Sequence, residues 1–242
     1  MSETKGKLIP FYLVVDVSYS MTEQGRIESA NRIIGELVQA FEANPIISDK
    51  VRVGMIDFSD DAQVVIPLDD LLDLQSIPQL TVRGGTSYGA AFTKLRSEIE
   101  RNVNELRASG YEVHRPAVYF ITDGVPTDDG WEHAFQALTQ YDKVTRQGFS
   151  FYPNLIPCGV GDANPAILAS LIHPQGRMKM FLQKEGGDPA KALSAMVEII
   201  ISSTINSGNN VAQGKGSAIE LPMPEDLPEG IEMSDGDDYL HD

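Results

Sequence analysis

Three short stretches of the chain hold residues able to bind a hard metal ion. Asp16-Val17-Ser18-Tyr19-Ser20 sets one carboxylate and two hydroxyls at two-residue spacing. An extended or looping backbone turns three such side chains to one side. Arg83-Gly84-Gly85-Thr86-Ser87 adds a hydroxyl in a segment whose glycines let the backbone approach a ligand closely. Ile121-Thr122-Asp123-Gly124 supplies a second carboxylate. Hard oxygen donors of this kind suit Mg²⁺, with Mn²⁺ or Ca²⁺ as alternatives. Each stretch alone has a plainer explanation: Ser18, Ser20, Thr86 or Ser87 as a helix cap, and Asp123-Gly124 as a turn. All three lie at expected strand ends or helix starts. Together they favour a metal site made by Asp16, Ser18, Ser20, Thr86 and Asp123.

Other chemistries find less support. A phosphotransferase of the haloacid dehalogenase type starts from a strand-end aspartate but needs a second acid two residues on, where Ser18 stands. Gly214-Lys215-Gly216 is not a phosphate-binding Walker loop. Gly159-Val160-Gly161-Asp162-Ala163-Asn164 imitates a dinucleotide fingerprint, ends in Asn, and reads as a strand-to-loop turn. His114, His133, His173 and His241 have no zinc-ligand spacing. Cys158 stands alone, so no disulfide forms within the chain, and a buried thiol in a reducing compartment is expected. No nucleophile–base pair is visible, so no catalytic residue and no enzyme activity are expected. The alternative is a metal-dependent phosphoester hydrolase using the same strand-end ion.

These residues need a scaffold, and the hydrophobic pattern predicts one. Leu8–Val15, Val51–Phe58, Ala117–Ile121 and Phe149–Ile156 read as core strands, with Gln63–Leu68 as an edge strand and Met178–Leu182 as a last one. Ile27, Ala30, Ile34, Leu37 and Phe41 recur at helical spacing, as do Phe92, Leu95, Ile99, Val103 and Leu106. Further helices are expected around Trp131–Tyr141, after Asn164-Pro165, and after Asp188-Pro189. Strands alternating with helices predict an α/β domain with a mostly parallel central sheet. Ligands of such sheets bind beyond the carboxyl ends of the strands, where Asp16 and Asp123 fall.

The 242 residues carry 35 Asp and Glu against 19 Lys and Arg, a formal net charge of −16. That balance argues against nucleic acid and against anionic membranes as partners. No run of about 18 apolar residues and no signal-peptide pattern is present, so a cytoplasmic protein without a membrane span is expected. Residues 1–206 are assigned to one domain. Residues 207–242 hold nine acidic residues and a single basic one, Lys215, and predict a flexible acidic tail. An ion held largely by neutral hydroxyls keeps the Lewis acidity to attract a carboxylate, so self-binding by an acid among Glu220–Asp242 is a further expectation.

Asp16-x-Ser18-x-Ser20, Thr86 in its Gly-Gly-Thr loop, and Thr122-Asp123-Gly124 resemble the metal-ion-dependent adhesion site (MIDAS) of von Willebrand factor A (VWA) domains. The resemblance covers about residues 8–206. It implies a Rossmann-like sheet with helices on both faces and one antiparallel edge strand, Gln63–Leu68. It also implies that Ser18, Ser20 and Thr86 contact the ion, Asp16 and Asp123 act directly or through water, and a protein partner supplies an Asp or Glu as the last ligand. Phe11–Asp16 and Phe120–Trp131 further resemble bacterial tellurium-resistance VWA proteins of the TerY type. That likeness implies a stress or metal-resistance setting, beside kinases or phosphatases. Two features depart from the pattern: bulky Tyr19, and two extra residues around Glu23-Gln24.

Overall fold

The computed structural model describes residues 4–215 and 219–240. The elements in chain order are β1 (Gly6–Asp16), α1 (Arg26–Ala43), α2 (Pro45–Ser48), β2 (Val51–Phe58), β3 (Ala62–Asp69), α3 (Tyr88–Ala108), β4 (Tyr111–Val113), β5 (Ala117–Thr122), α4 (Trp131–Thr139), β6 (Asn154–Gly159), α5 (Pro165–Leu171), β7 (Met180–Gln183), α6 (Pro189–Ala212) and β8 (Ile231–Ser234). The sheet runs β3-β2-β1-β5-β6-β7-β8, with β4 beside the start of β1. From β2 to β7 every pairing is parallel.

The interior strands are buried along nearly their whole length, as parallel strands covered on both faces must be. β3 is only partly buried, as an edge strand should be, and pairs antiparallel with β2. The helices pack in two groups, α1 against α6 and α3 against α4. The apolar stripe Ala30, Ile34, Leu37 and Phe41 faces the core, and Ile27 is only partly buried. Asn164 and Asp188 cap α5 and α6 through backbone N–H groups, each with proline next in line.

The register fixes the site. Asp16 lies opposite Phe58 and Val15 opposite Ile121, so β1 and β5 end side by side in the middle of the sheet. Both strands present their last side chains at the same carboxyl edge.

Three expectations need correction. Phe149–Tyr152 is a turn, and β6 starts only at Asn154. These aromatics are covered by arginines: Arg96 lies over Phe149, Arg107 over Phe151 and Arg115 over Tyr152. Second, Met180–Gln183 is not the last strand, and β3 is not the sole antiparallel one, because β8 pairs antiparallel with β7. Third, the boundary at 206 falls inside α6, which continues to Ala212, and the segment expected to be a flexible tail is folded through its described part. Its charge count hid its apolar residues. Ile231 is 1% exposed and Ile219 is buried, while Leu221, Leu227, Met233 and Tyr239 pack against the core. His241 and Asp242 lie outside the described residues, as does Gly216.

Candidate metal centre

The five residues singled out from the sequence converge at the carboxyl ends of β1 and β5. Asp16 is fully buried and is held at both oxygens. Its Oδ1 accepts the Ser18 backbone N–H at 2.8 Å, and its Oδ2 accepts the Thr122 hydroxyl at 2.6 Å. The Ser18 and Ser20 hydroxyls lie 3.0 Å apart, and Ser20 donates to Asp123 Oδ1 at 2.7 Å. A chain of oxygens thus runs from β1 across to β5. Thr86 joins it at Gly124. A methyl group placed on Gly124 would sit 3.8 Å from Thr86 Oγ1 and 3.9 Å from Ser20 Oγ. The missing side chain leaves a cradle between the two hydroxyls.

These residues suit a divalent ion. Among the described residues no three His, Cys, Asp or Glu side chains converge, so an ion must draw on hydroxyls as well as on the two aspartates. Neutral hydroxyl and carboxylate oxygens are the donors that hard cations take. Burial pushes the Asp16 carboxyl up to about 6, and the negative charge of Asp123 adds to the rise. Hydrogen bonds from Ser18 and Thr122 oppose it. A buried carboxylate so disfavoured as an anion is one that a nearby dication would hold ionised.

One charged residue escaped the sequence reading. Arg26, at the first position of α1, is 3% exposed, and its Nη1 donates to Asp123 Oδ2 at 2.7 Å. The same nitrogen lies 3.3 Å from the Ser20 carbonyl. Its guanidinium fits beneath Gly161, where an added methyl would stand 2.8 Å from the guanidinium carbon. Asp123 therefore offers one oxygen to the serine chain and gives the other to a buried cation. The signal was present in the sequence. Arg26 precedes Ala30 by four residues on the buried stripe of α1.

The loops around the site are tied to one another. Arg83 grips buried Asp57 of β2 with two hydrogen bonds, at 2.9 and 2.7 Å. Its backbone N–H donates to the Val17 carbonyl, and Tyr19 N–H donates to Gly84. Asp60 accepts from Gly85 N–H. Thr127 Oγ1 accepts the Thr86 N–H at 3.0 Å, and Thr127 N–H donates to the Thr86 carbonyl. Asp128 then takes the N–H groups of Tyr88 and Gly89, both at 2.9 Å, at the first turn of α3. Sequence reading noted the Thr127-Asp128 stretch but not this clamp. Glu23 and Gln24 form a kink between a short 3-10 turn and α1, and Gln24 adopts a left-handed conformation. Trp131 packs against Tyr88 and Phe92. Tyr19, between Ser18 and Ser20, is 70% exposed, and Val125, next to Gly124, is exposed as well.

A sequence model of the von Willebrand factor type A domain matches residues 11–125, which run from within β1 through the Gly-Gly-Thr loop to just past β5. The body of the chain is a VWA fold. Among solved structures it is similar to a von Willebrand factor type A protein from Catenulispora acidiphila, at 14% identity with a TM-score of 0.56, covering 83% of this chain and 43% of that one. It is also similar to proximal thread matrix protein 1 from the mussel byssus, solved with zinc in its MIDAS motif, at 17% identity and a TM-score of 0.52, covering 84% of this chain and 47% of that one. A curated relative is the human (Homo sapiens) collagen alpha-5(VI) chain, 32% identical over 124 residues, which is 48% of this chain and 4% of the relative. This chain thus spans a small part of that relative and less than half of either solved chain. No helix among the described residues is long and apolar enough to cross a membrane.

Proposed function

We propose that this VWA domain holds Mg²⁺ with Ser18, Ser20 and Thr86, assisted by Asp16 and Asp123, and engages a protein partner there without catalysing a reaction. The observation that carries the reading is the chain of oxygens Ser18–Ser20–Asp123, with Asp16 holding the Ser18 backbone N–H at one end and Thr86 facing the same cradle at Gly124. The bound ion would supply a Lewis-acidic centre for an Asp or Glu side chain of the partner. Asp16 fixes the loop after β1 through its hydrogen bonds to Ser18 and Thr122. Arg26 and Ser20 between them fix both oxygens of Asp123. Tyr19 and Val125 offer apolar area at the rim for a partner to cover. The absence of enzymatic activity is part of the proposal. Cys158 is buried and its thiol is pushed up by burial alone.

The test is unfolding with chelator and with millimolar Mg²⁺. Binding to the native state raises the melting temperature, and Asp16→Ala combined with Ser18→Ala abolishes the rise. Identical curves under both conditions would reject the site. The setting we propose is bacterial and cytoplasmic, in resistance to tellurite-type stress, with a kinase or phosphatase as the class of partner. It rests on the Phe11–Asp16 and Phe120–Trp131 stretches. Growth of a deletion strain on tellurite that matches its parent would remove it.

A further inference from the structure

At the opposite end of the sheet a cleft of about 130 Å³ opens between the end of α3, the link from β4 to β5 and the segment before β6. Arg107, His114, Arg115 and Ser150 meet there above Val103, Val113 and Phe151. No described carboxylate lines the cleft, in a chain whose net charge is −16. Glu112, the acid of β4, is paired with Lys7 at 3.2 Å. Neither Arg107 nor Arg115 has an ion-pair partner among the described residues.

Both guanidiniums are pre-set by stacking. Arg107 lies 4.8 Å from the Phe151 ring centre and Arg115 lies 3.5 Å from that of Tyr152. Arg115 uses one N–H on the Tyr152 carbonyl at 2.6 Å, and a guanidinium has five. His114 Nε2 is buried with no hydrogen-bond partner. His173 Nε2, on a ring set edge-on to Tyr152, is in the same state. Burial and Arg177 both press against the charged form of Arg115, and burial and Arg115 push His173 down to about 4. These are cations and imidazoles gathered without an anion.

We propose that this cleft is a phosphate site, with Arg107, Arg115, His114 and Ser150 as its donors. Two planar forks, a hydroxyl and an imidazole present more donors than a carboxylate can accept, and they match the oxygens of a phosphate. The apolar floor of Val103, Val113 and Phe151 would touch whatever side chain carries the group. The phosphate comes either from solution or from a phosphorylated partner protein. β5 separates this cleft from the metal centre by about 20 Å, six residues at strand rise, so the two sites are physically independent.

The experiment is a nuclear magnetic resonance titration of the full chain, stripped of metal so that phosphate cannot bind an ion at the other end. The probes are inorganic phosphate, a short phosphoserine peptide and its unphosphorylated parent, at constant ionic strength. The expected result is a saturable shift of the His114 ring proton with either phosphate probe and none with the parent peptide. Arg107→Gln and Arg115→Gln should each weaken binding at least tenfold. Arg107 is exposed, so Arg107→Gln keeps the fold and decides the question if Arg115→Gln unfolds. Tighter binding of the phosphopeptide than of phosphate assigns the site to a phosphorylated partner, and equal binding assigns it to the free anion. No saturable shift with either probe, or unchanged affinity in Arg107→Gln, overturns the proposal.

Discussion

Arg26 decides the electrostatics of the metal centre. Asp16 and Asp123 carry two negative charges, and Arg26 cancels one of them from inside the protein. Removing one partner of a buried ion pair leaves the other charge uncompensated and costs about 3–5 kcal/mol. Arg26→Met should therefore lower stability in chelator by that order. It also frees Asp123 Oδ2 and removes a competing cation, so added Mg²⁺ should restore part of the loss. The melting shift on adding Mg²⁺ is then larger in Arg26→Met than in the parent, and an equal or smaller shift would show that Arg26 does not oppose the ion. His173 gives a pH signature. Its folded pKa is depressed from the ordinary value to about 4, by burial first and then by Arg115. Between pH 6.5 and 4 the unfolded chain takes up a proton that the folded chain refuses. Its contribution to stability is thus complete above pH 6.5 and falls as pH drops towards 4. Subtracting the stability–pH curve of His173→Gln from that of the parent should leave this slope. A flat difference would contradict it.

At the scale of elements, the loop carrying Thr86 is positioned by α3, and α3 is positioned by Asp128. That carboxylate accepts the N–H groups of Tyr88 and Gly89, which have no partner within the helix itself. Asp128→Ala should cost about 1–2 kcal/mol, as loss of a helix cap does. It should also weaken Mg²⁺ binding, although Asp128 is no ligand, because Thr86 loses its anchored neighbour. Calorimetric titration with Mg²⁺ separates that effect from a purely structural one, which would leave affinity unchanged. Elements with a clear apolar run or a cap were legible in the sequence: β2 covers Val51–Phe58 as its apolar run places it, and α5 starts at the Asn164-Pro165 cap. That the three motif stretches come together was legible too, because each alone has an everyday use as a cap or turn but all three fall at expected strand ends or helix starts. Asp128 was not, since it acts on an N–H group 40 positions away in the chain, and for Arg26 the sequence held its place on a buried stripe but not the aspartate 97 positions on that it pairs with. β4 has only three residues and no period to read. Phe149–Tyr152 misled because aromatic runs favour strands, and only the arginines stacked on them show why the chain turns there.

For the molecule as a whole, the question is what the acidic C-terminal segment does. Its nine acids suggested a mobile arm able to reach the metal centre. The structure instead lays the segment along the far edge of the sheet, three strands from β5. Asp235 is paired with Lys179 at 3.0 Å, and Glu220 lies on Asn210 and Ser207. β8 covers the β7 edge, and an uncovered strand edge is a template for pairing with another chain. Its one acid, Glu232, faces outward while Ile231 fills the core, so charge and apolar burial are divided between the faces of one short strand. Ile231→Ala should cost about 2–4 kcal/mol, as expected for a large core side chain. Glu232→Gln, on the exposed face, should leave stability within about 0.5 kcal/mol. A chain ending at Lys215 loses the whole cover. It should unfold at lower temperature and form dimers or larger species in sedimentation, through the bared β7 edge. Its Mg²⁺ affinity per folded molecule should match that of the full chain, because the described tail acids are held elsewhere. If the shortened chain bound Mg²⁺ or a partner more tightly while staying monomeric and equally stable, the segment would be a competing arm after all, and its place on the sheet would not be what keeps it in the protein.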